Sequence, residues 1–202
     1  MPNGEPTSPP PMPALRGEKV FLRPAERDDL ELFVRWFADA EMTRYLATNV
    51  PFSMAMEERW FDSMLEKQGK GSYHFVICLL ADGRPIGTTG FQHVDQENGS
   101  AAFGIGIGEK GEWNRGYGTD ALRTMCDFGF GQLRLERIEL DVYEPNRSAQ
   151  RSYEKAGFVT EGTLRHAHFA EGRHWDVLRM SLLREEWEAQ PRRKSWEINR
   201  PA

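Results

Sequence analysis

Apolar and polar residues alternate with two different periods along the 202-residue chain, and the changes of period divide it into elements. KVFLRP, from Lys19, reads as a short strand. Asp28 then opens a helix, with Glu31 three residues on completing a reciprocal cap. Leu30, Phe33, Val34 and Phe37 fall on one face of it at i, i+3, i+4 and i+7. A second helix begins near Ser53 and carries Met56, Trp60, Phe61, Met64 and Leu65 at similar spacing. That stripe predicts core packing for most of these residues, with part of it roofing a substrate pocket. From Tyr73 the period shortens to two: YHFVICLL, a turn at 81–84 and PIGTTGFQHV form two strands, and Asn98-Gly99 turns the chain into a third, AAFGIGI. Helical spacing returns from 119 to about 133, with Ala121, Leu122, Met125, Cys126, Phe128 and Gly129 on or near the packing face. RIELDVY, 137–143, alternates as a strand, and a helix from Asn146 ends at Gly157, placed to take a left-handed conformation. Two strands, around 158–169 and 174–183, close the pattern about a turn at 170–173. The order βααβββαβαββ is that of an α/β domain with a mixed, mostly antiparallel central sheet and flanking helices.

The ends break the pattern. Residues 1–15 are rich in proline and small polar residues and predict a disordered tail. Residues 189–202 lose apolar periodicity, and Arg192, Arg193 and Lys194 there read as a solvated tail. One domain over 16–188 remains. With 26 Lys and Arg against 31 Asp and Glu, the net charge of −5 gives no whole-molecule attraction to nucleic acid or an anionic membrane. No apolar run is long enough to span a bilayer. Cys78 and Cys126 form no CxxC and follow no secretory leader, which predicts a reduced, cytoplasmic protein.

The candidate chemistry centres on EWNRGYGTDAL, residues 112–122, a glycine turn running into a helix. The phosphate-loop pattern fails, because no Gly-Lys-Ser or Gly-Lys-Thr occurs. The dinucleotide fingerprint matches literally twice, as Gly106, Gly108, Gly111 and as Gly116, Gly118, Ala121, with Asp141 where a ribose-binding acid belongs. An NAD-dependent oxidoreductase is nevertheless disfavoured. The preceding strand ends near Ile107, about eight residues before Gly116, and the strands before it are hairpin-connected. What survives is a turn over 113–118 that aims backbone N–H groups and the positive end of a helix at one anion, with Arg115 adding charge. A diphosphate suits it.

WNRGYGTDAL resembles the acyl-CoA pyrophosphate loop of the GNAT N-acetyltransferases, with Trp113 in place of the usual Gln or Arg, a departure similar to the RimJ/RimL-like subgroup. NRSAQRSYEKAGF, 146–158, resembles the family's second signature, and EGTLRHAHFAEGRHWDVLRMSLLREEW resembles its closing hairpin, so that the resemblance runs over residues 20–187. It implies a GNAT-type fold, acetyl-CoA as co-substrate without a metal, and direct acetyl transfer to a primary amine in a ternary complex. The acceptor is a small-molecule amine or a protein or peptide N-terminus, and a homodimer is left open. The resemblance also implies pantetheine along Ile105 and Ile107, and pyrophosphate on Asn114, Arg115, Gly116, Tyr117, Gly118 and Thr119 beside Trp113. Asn146 then meets the cofactor arm, and Tyr153 is the general acid for the leaving thiolate.

The acceptor amine must shed a proton before it attacks. Ala102 stands where many relatives carry a Glu, which leaves His93, Asp95 or Glu144 as candidate bases, acting directly or through water, alongside a base fixed by the substrate or solvent. His166, His168 and His174 match no zinc spacing. The alternative from another class is a non-catalytic CoA or acyl-CoA sensor of the same fold.

Overall fold

The computed structural model describes residues 15–48 and 50–198; most of the expected N-terminal tail and the last four residues lie outside them. The strands are β1 (Leu15–Arg16), β2 (Val20–Arg23), β3 (Tyr73–Leu79), β4 (Pro85–Asp95), β5 (Ser100–Ile107), β6 (Arg137–Tyr143), β7 (Val159–Ala170) and β8 (Arg173–Leu183). The α-helices are α1 (Leu30–Phe37), α2 (Ala40–Thr43), α3 (Met54–Lys67), α4 (Tyr117–Gly131), α5 (Arg147–Lys155), α6 (Arg184–Glu188) and α7 (Ser195–Ile198). The strands form one sheet in the order β1-β2-β3-β4-β5-β6-β8-β7, antiparallel throughout except for β5 beside β6. Of these elements, β1, α2, α6 and α7, each five residues or shorter, are absent from the sequence pattern.

Alternation along β3 explains the layers. Phe75, Ile77 and Leu79 enter the core on one face with Ala121, Leu122 and Met125 of α4. Val76 and Cys78 enter the core on the other face with Leu30, Phe33 and Trp36 of α1 and Phe61 and Met64 of α3. The first helix starts later than Asp28 predicts. Residues 27–29 make a 3-10 turn, and the Glu26 N–H donates to Asp29 Oδ2 at 2.8 Å. Both Asp29 oxygens accept from Arg23 at 2.7 Å, which pins the turn to the end of β2.

The expected solvated tail is packed over its described part. Arg192 donates to both oxygens of Asp127 at 3.0 and 2.6 Å, and the Ser195 N–H donates to Oδ2 at 2.7 Å. Lys194 is buried and donates to the Trp187 carbonyl, with Trp196 packed on Trp187. The reason lies on α4: Asp127 is 1% exposed, and a carboxylate held so far from water needs charged and hydrogen-bonding partners.

One feature of the sheet makes room for a ligand. β5 pairs with β6 only from Ser100↔Arg137 to Ala102↔Glu139. Beyond that point β5 stays with β4 as far as Ile107↔Gly87, while β6 stays with β8 as far as Tyr143↔Val177. The two central strands therefore diverge from Phe103 onward, and the sheet opens as a wedge.

Candidate active site

The wedge is a cleft of about 620 Å3 with Ile105, Gly106 and Ile107 on one wall and Asp141, Val142 and Tyr143 on the other. Its remaining walls come from Glu41, Met42, Arg44, Tyr45 and Leu46, from 112–114 and 116–119, and from Asn146 and α5. The Gly108 N–H donates to the Ile86 carbonyl at 2.8 Å, and alternation along an antiparallel pair then turns the backbone groups of Ile107 and Ile105 away from β4, into the opening. Trp113 ties the loop to this strand, its indole Nε1–H donating to the Ile107 carbonyl at 2.7 Å.

The loop reaches α4 through two positive φ angles, 61° at Asn114 and 84° at Gly116, and the helix begins at Tyr117, two residues before the periodicity places it. Gly116 is the glycine whose backbone demands its residue type. Gly118 sits in the first helical turn on the cleft wall. Asp120 holds this turn against β2: it accepts from the N–H groups of Lys19 and Val20 at 2.8 and 3.0 Å and of Glu18 at 3.1 Å. The first residues of this 15-residue helix, whose N–H groups have no acceptor within the helix, thus line the cleft.

Trp113, Asn114, Gly116, Tyr117, Gly118, Thr119, Asn146 and Tyr153 line the cleft with Ile105 and Ile107, as the motifs suggest. Arg115 does not. Its guanidinium donates instead to Glu112 at 2.8 Å. The cations that do line the cleft are Arg44, which pairs with Glu171, and Arg151 and Lys155 of α5, which have no carboxylate partner among the described residues. The carboxylates on the walls are engaged elsewhere: Glu112 with Arg84 and Arg115, Glu41 with Lys110, and Asp141 with Arg179 through two contacts of 2.9 Å. Those contacts also occupy the acid that a ribose would need. Together with antiparallel β4 and β5 ahead of the loop, they remove the basis of the dinucleotide reading.

Asn146 caps α5, its Oδ1 accepting from the Ala149 N–H at 3.1 Å, and its amide nitrogen has no acceptor among the described residues. Tyr153, seven residues on, is half-buried with its ring near Phe158 and its hydroxyl without a hydrogen-bond partner among the described residues. Burial pushes its phenol up to about 12.

The candidate bases are elsewhere. His93 is exposed at a bulge of β4 with φ 51°, and Glu144 is exposed and paired with Arg147 at 2.8 Å; neither lines the cleft. Asp95 accepts from the N–H groups of Glu97 and Asn98 at 2.9 Å and shapes the hairpin. The histidines of the closing hairpin are stacked: His166 on His174, and His168 on Tyr143 with ring centroids 3.9 Å apart. Among the described residues no group of three His, Cys, Asp or Glu is placed to hold a metal ion.

A second cavity of about 470 Å3 lies between α1, α3 and β3 to β5 and shares Leu46, Ile105 and Gly106 with the cleft. Glu57 and His74 are its titratable residues. Burial raises the Glu57 carboxyl above the ordinary range and lowers the His74 imidazole below it. Met56 and Trp60 reach this cavity rather than the core, while Leu65 is exposed.

An uncharacterized N-acetyltransferase, p20 of Bacillus licheniformis, is 33% identical over 179 residues, which is 87% of this chain and 99% of that protein. Spermidine N(1)-acetyltransferase of Escherichia coli is 28% identical over 85% of this chain and 89% of its own length. The solved structure of the spermidine N-acetyltransferase of Vibrio cholerae in complex with CoA and spermine superimposes with a TM-score of 0.78 at 26% identity, covering 84% of this chain and 98% of that one. The model of the acetyltransferase (GNAT) domain matches residues 19–159, and with the split sheet and the loop that closes it, the chain belongs to the GNAT acetyltransferases.

Proposed function

We propose that the protein transfers the acetyl group of acetyl-CoA directly to a small-molecule amine. The observation that carries this reading is the divergence of β5 from β6, which leaves the backbone groups of Ile105 and Ile107 facing a cleft that ends at the N-terminus of α4. A pantetheine arm suits the strand edge, and a diphosphate suits the amides after Asn114 with Arg151 and Lys155 alongside. The amine enters from the second cavity, whose size fits a small molecule. Trp113 alone points to a RimJ/RimL-like enzyme, and its bond to Ile107 is a structural task indifferent to the acceptor.

Acetyl-CoA supplies a thioester carbonyl. The amine attacks in its neutral form, having lost its extra proton to water. As the C–N bond forms and the C–S bond breaks, a backbone N–H of β5 stabilises the charge on the carbonyl oxygen, and the Tyr153 hydroxyl donates its proton to the departing sulfur. The proton released by the acylated nitrogen returns through water to the phenolate. A phenol near 12 keeps its proton throughout the neutral range. Transfer to a thiolate of ordinary pKa, about 8.5, is uphill, and the burial that raises the phenol raises the thiol with it. His93 and Glu144 take no part in this scheme, because neither faces the cavities.

The test is thermal shift with CoA, acetyl-CoA and NADH, followed by thiol release over an amine panel. CoA and acetyl-CoA are expected to stabilise the protein. Stabilisation by NADH alone overturns the reading, and CoA binding without thiol release from any amine identifies the sensor. Tyr153→Phe is expected to lower kcat by about 100-fold with CoA affinity nearly intact.

A further inference from the structure

Glu57 is a carboxylate on the packing face of a helix. It precedes Phe61 by four residues and Met64 by seven, is 3% exposed, and shares their buried side of α3. No described residue hydrogen-bonds to its side chain or pairs with it. The other buried acids are all engaged: Asp29 by Arg23, Glu112 by Arg84 and Arg115, and Asp127 by Arg192 and Ser195. A lone buried carboxylate is costly to the empty protein.

Its surroundings indicate what relieves that cost. Glu57 lines the second cavity beside Phe37, Phe52, Met56 and Trp60, and no Lys or Arg lines it. Phe37 meets Phe52 edge-on at 5.6 Å, and Trp60 meets His74 at 5.7 Å, so two aromatic pairs line the same cavity as the acid. Aromatic faces beside an unpaired carboxylate attract an organic cation. They give an anion nothing to pair with.

We propose that Glu57 is the counter-ion of the acceptor's amine, and that this cavity selects a primary ammonium carried on an apolar body without a carboxylate. The proposal rests on the reading that the acceptor enters through this cavity. An amino acid of the same bulk brings a carboxylate toward Glu57 with no cation to receive it, and is rejected by the unpaired charge.

Calorimetry on the full chain saturated with CoA tests this with two probes of one body, phenethylamine and phenylalanine. Phenethylamine is expected to bind, and phenylalanine to bind at least about tenfold more weakly. Glu57→Gln is expected to weaken phenethylamine about tenfold or more while CoA affinity stays unchanged, and Glu57→Asp to retain more of the amine affinity than Gln does. Equal binding of the two probes, no binding of phenethylamine by the wild type, or wild-type affinity in the Gln variant overturns the proposal. Should the Gln variant lose CoA as well, the two probes on the wild type decide alone. Acetyl transfer fails separately, on absent CoA binding or absent thiol release.

Discussion

Trp113 donates its indole N–H to the carbonyl of Ile107 across 2.7 Å, so the loop is fastened to the end of the strand it has just left. The bond fixes the distance between the strand edge and the start of α4, the two places where the pantetheine arm and the pyrophosphate of CoA are expected to bind. Trp113→Phe keeps an aromatic ring and removes the donor. The expected loss is about 1 kcal/mol of stability, with CoA affinity reduced by roughly fivefold. Urea unfolding and CoA calorimetry check it, and unchanged CoA affinity would leave the Trp as a packing residue.

Gly116 and Gly118 are expected to answer alanine in opposite ways. At Gly116 the φ of 84° is unfavourable for any side chain, and a Cβ would lie 3.3 Å from Lys19 Nζ. Gly116→Ala therefore costs about 1–2 kcal/mol. At Gly118 a Cβ would meet Ile107 Cγ1 at an ordinary 3.8 Å, and alanine in a helix is favoured over glycine by about 1 kcal/mol. The added methyl group occupies the cleft wall, so Gly118→Ala is expected to raise Tm without ligand and to weaken CoA. Thermal melts with and without CoA separate the two effects.

Much of this architecture is legible in the sequence because local rules and tertiary demands agree. Ile138, Leu140 and Val142 alternate and are buried; Asn146 and Gly157 bound α5 where their backbone preferences place them, with Gly157 at φ 98°. The site is legible where one motif encodes a backbone conformation, as at Asn114 and Gly116. It is not legible where a contact joins distant segments. Arg115 sits in the motif yet pairs with Glu112, while Arg151 and Lys155 line the cleft only because β5 and β6 part beside α5. Glu57 escapes for the same reason. Residue type assigns a glutamate to solvent even where its spacing to Phe61 and Met64 puts it on the packing face, and its burial follows from α3 packing against α1 and the sheet.

The basic run near the C-terminus gives a stability prediction of its own. Asp127 takes its hydrogen bonds from Arg192, the Ser195 N–H and Trp187 Nε1, the last at 2.8 Å. Truncation after Gln190 removes the first two and leaves a buried charge with one neutral donor. A loss of about 3–5 kcal/mol is expected in urea unfolding. Adding Asp127→Asn to the truncated chain should recover part of it, because the uncompensated charge is gone. No recovery would assign the loss to the packing of Trp196 instead.

Glu57 predicts a pH dependence of the opposite sign to that of a paired acid. Burial raises its folded-state pKa above the unfolded value of about 4.3, so the folded state binds the proton more tightly. Its contribution is fully present below the unfolded pKa, declines as pH rises toward the folded pKa, and stays unfavourable above it. Glu57→Gln, which cannot ionise, is therefore expected to be more stable than the wild type at pH 7, with the gap closing as pH falls through about 4. His74, the other titratable group of the cavity, is lowered by burial and acts in the reverse direction, but it is common to both proteins and largely cancels in their difference. Urea unfolding of the two proteins from pH 4 to pH 7 measures the gap. A gap independent of pH would mean that the Glu57 charge is already compensated in the empty protein. A gap that opens with pH and closes when phenethylamine is added ties the instability of the free protein to recognition of the amine.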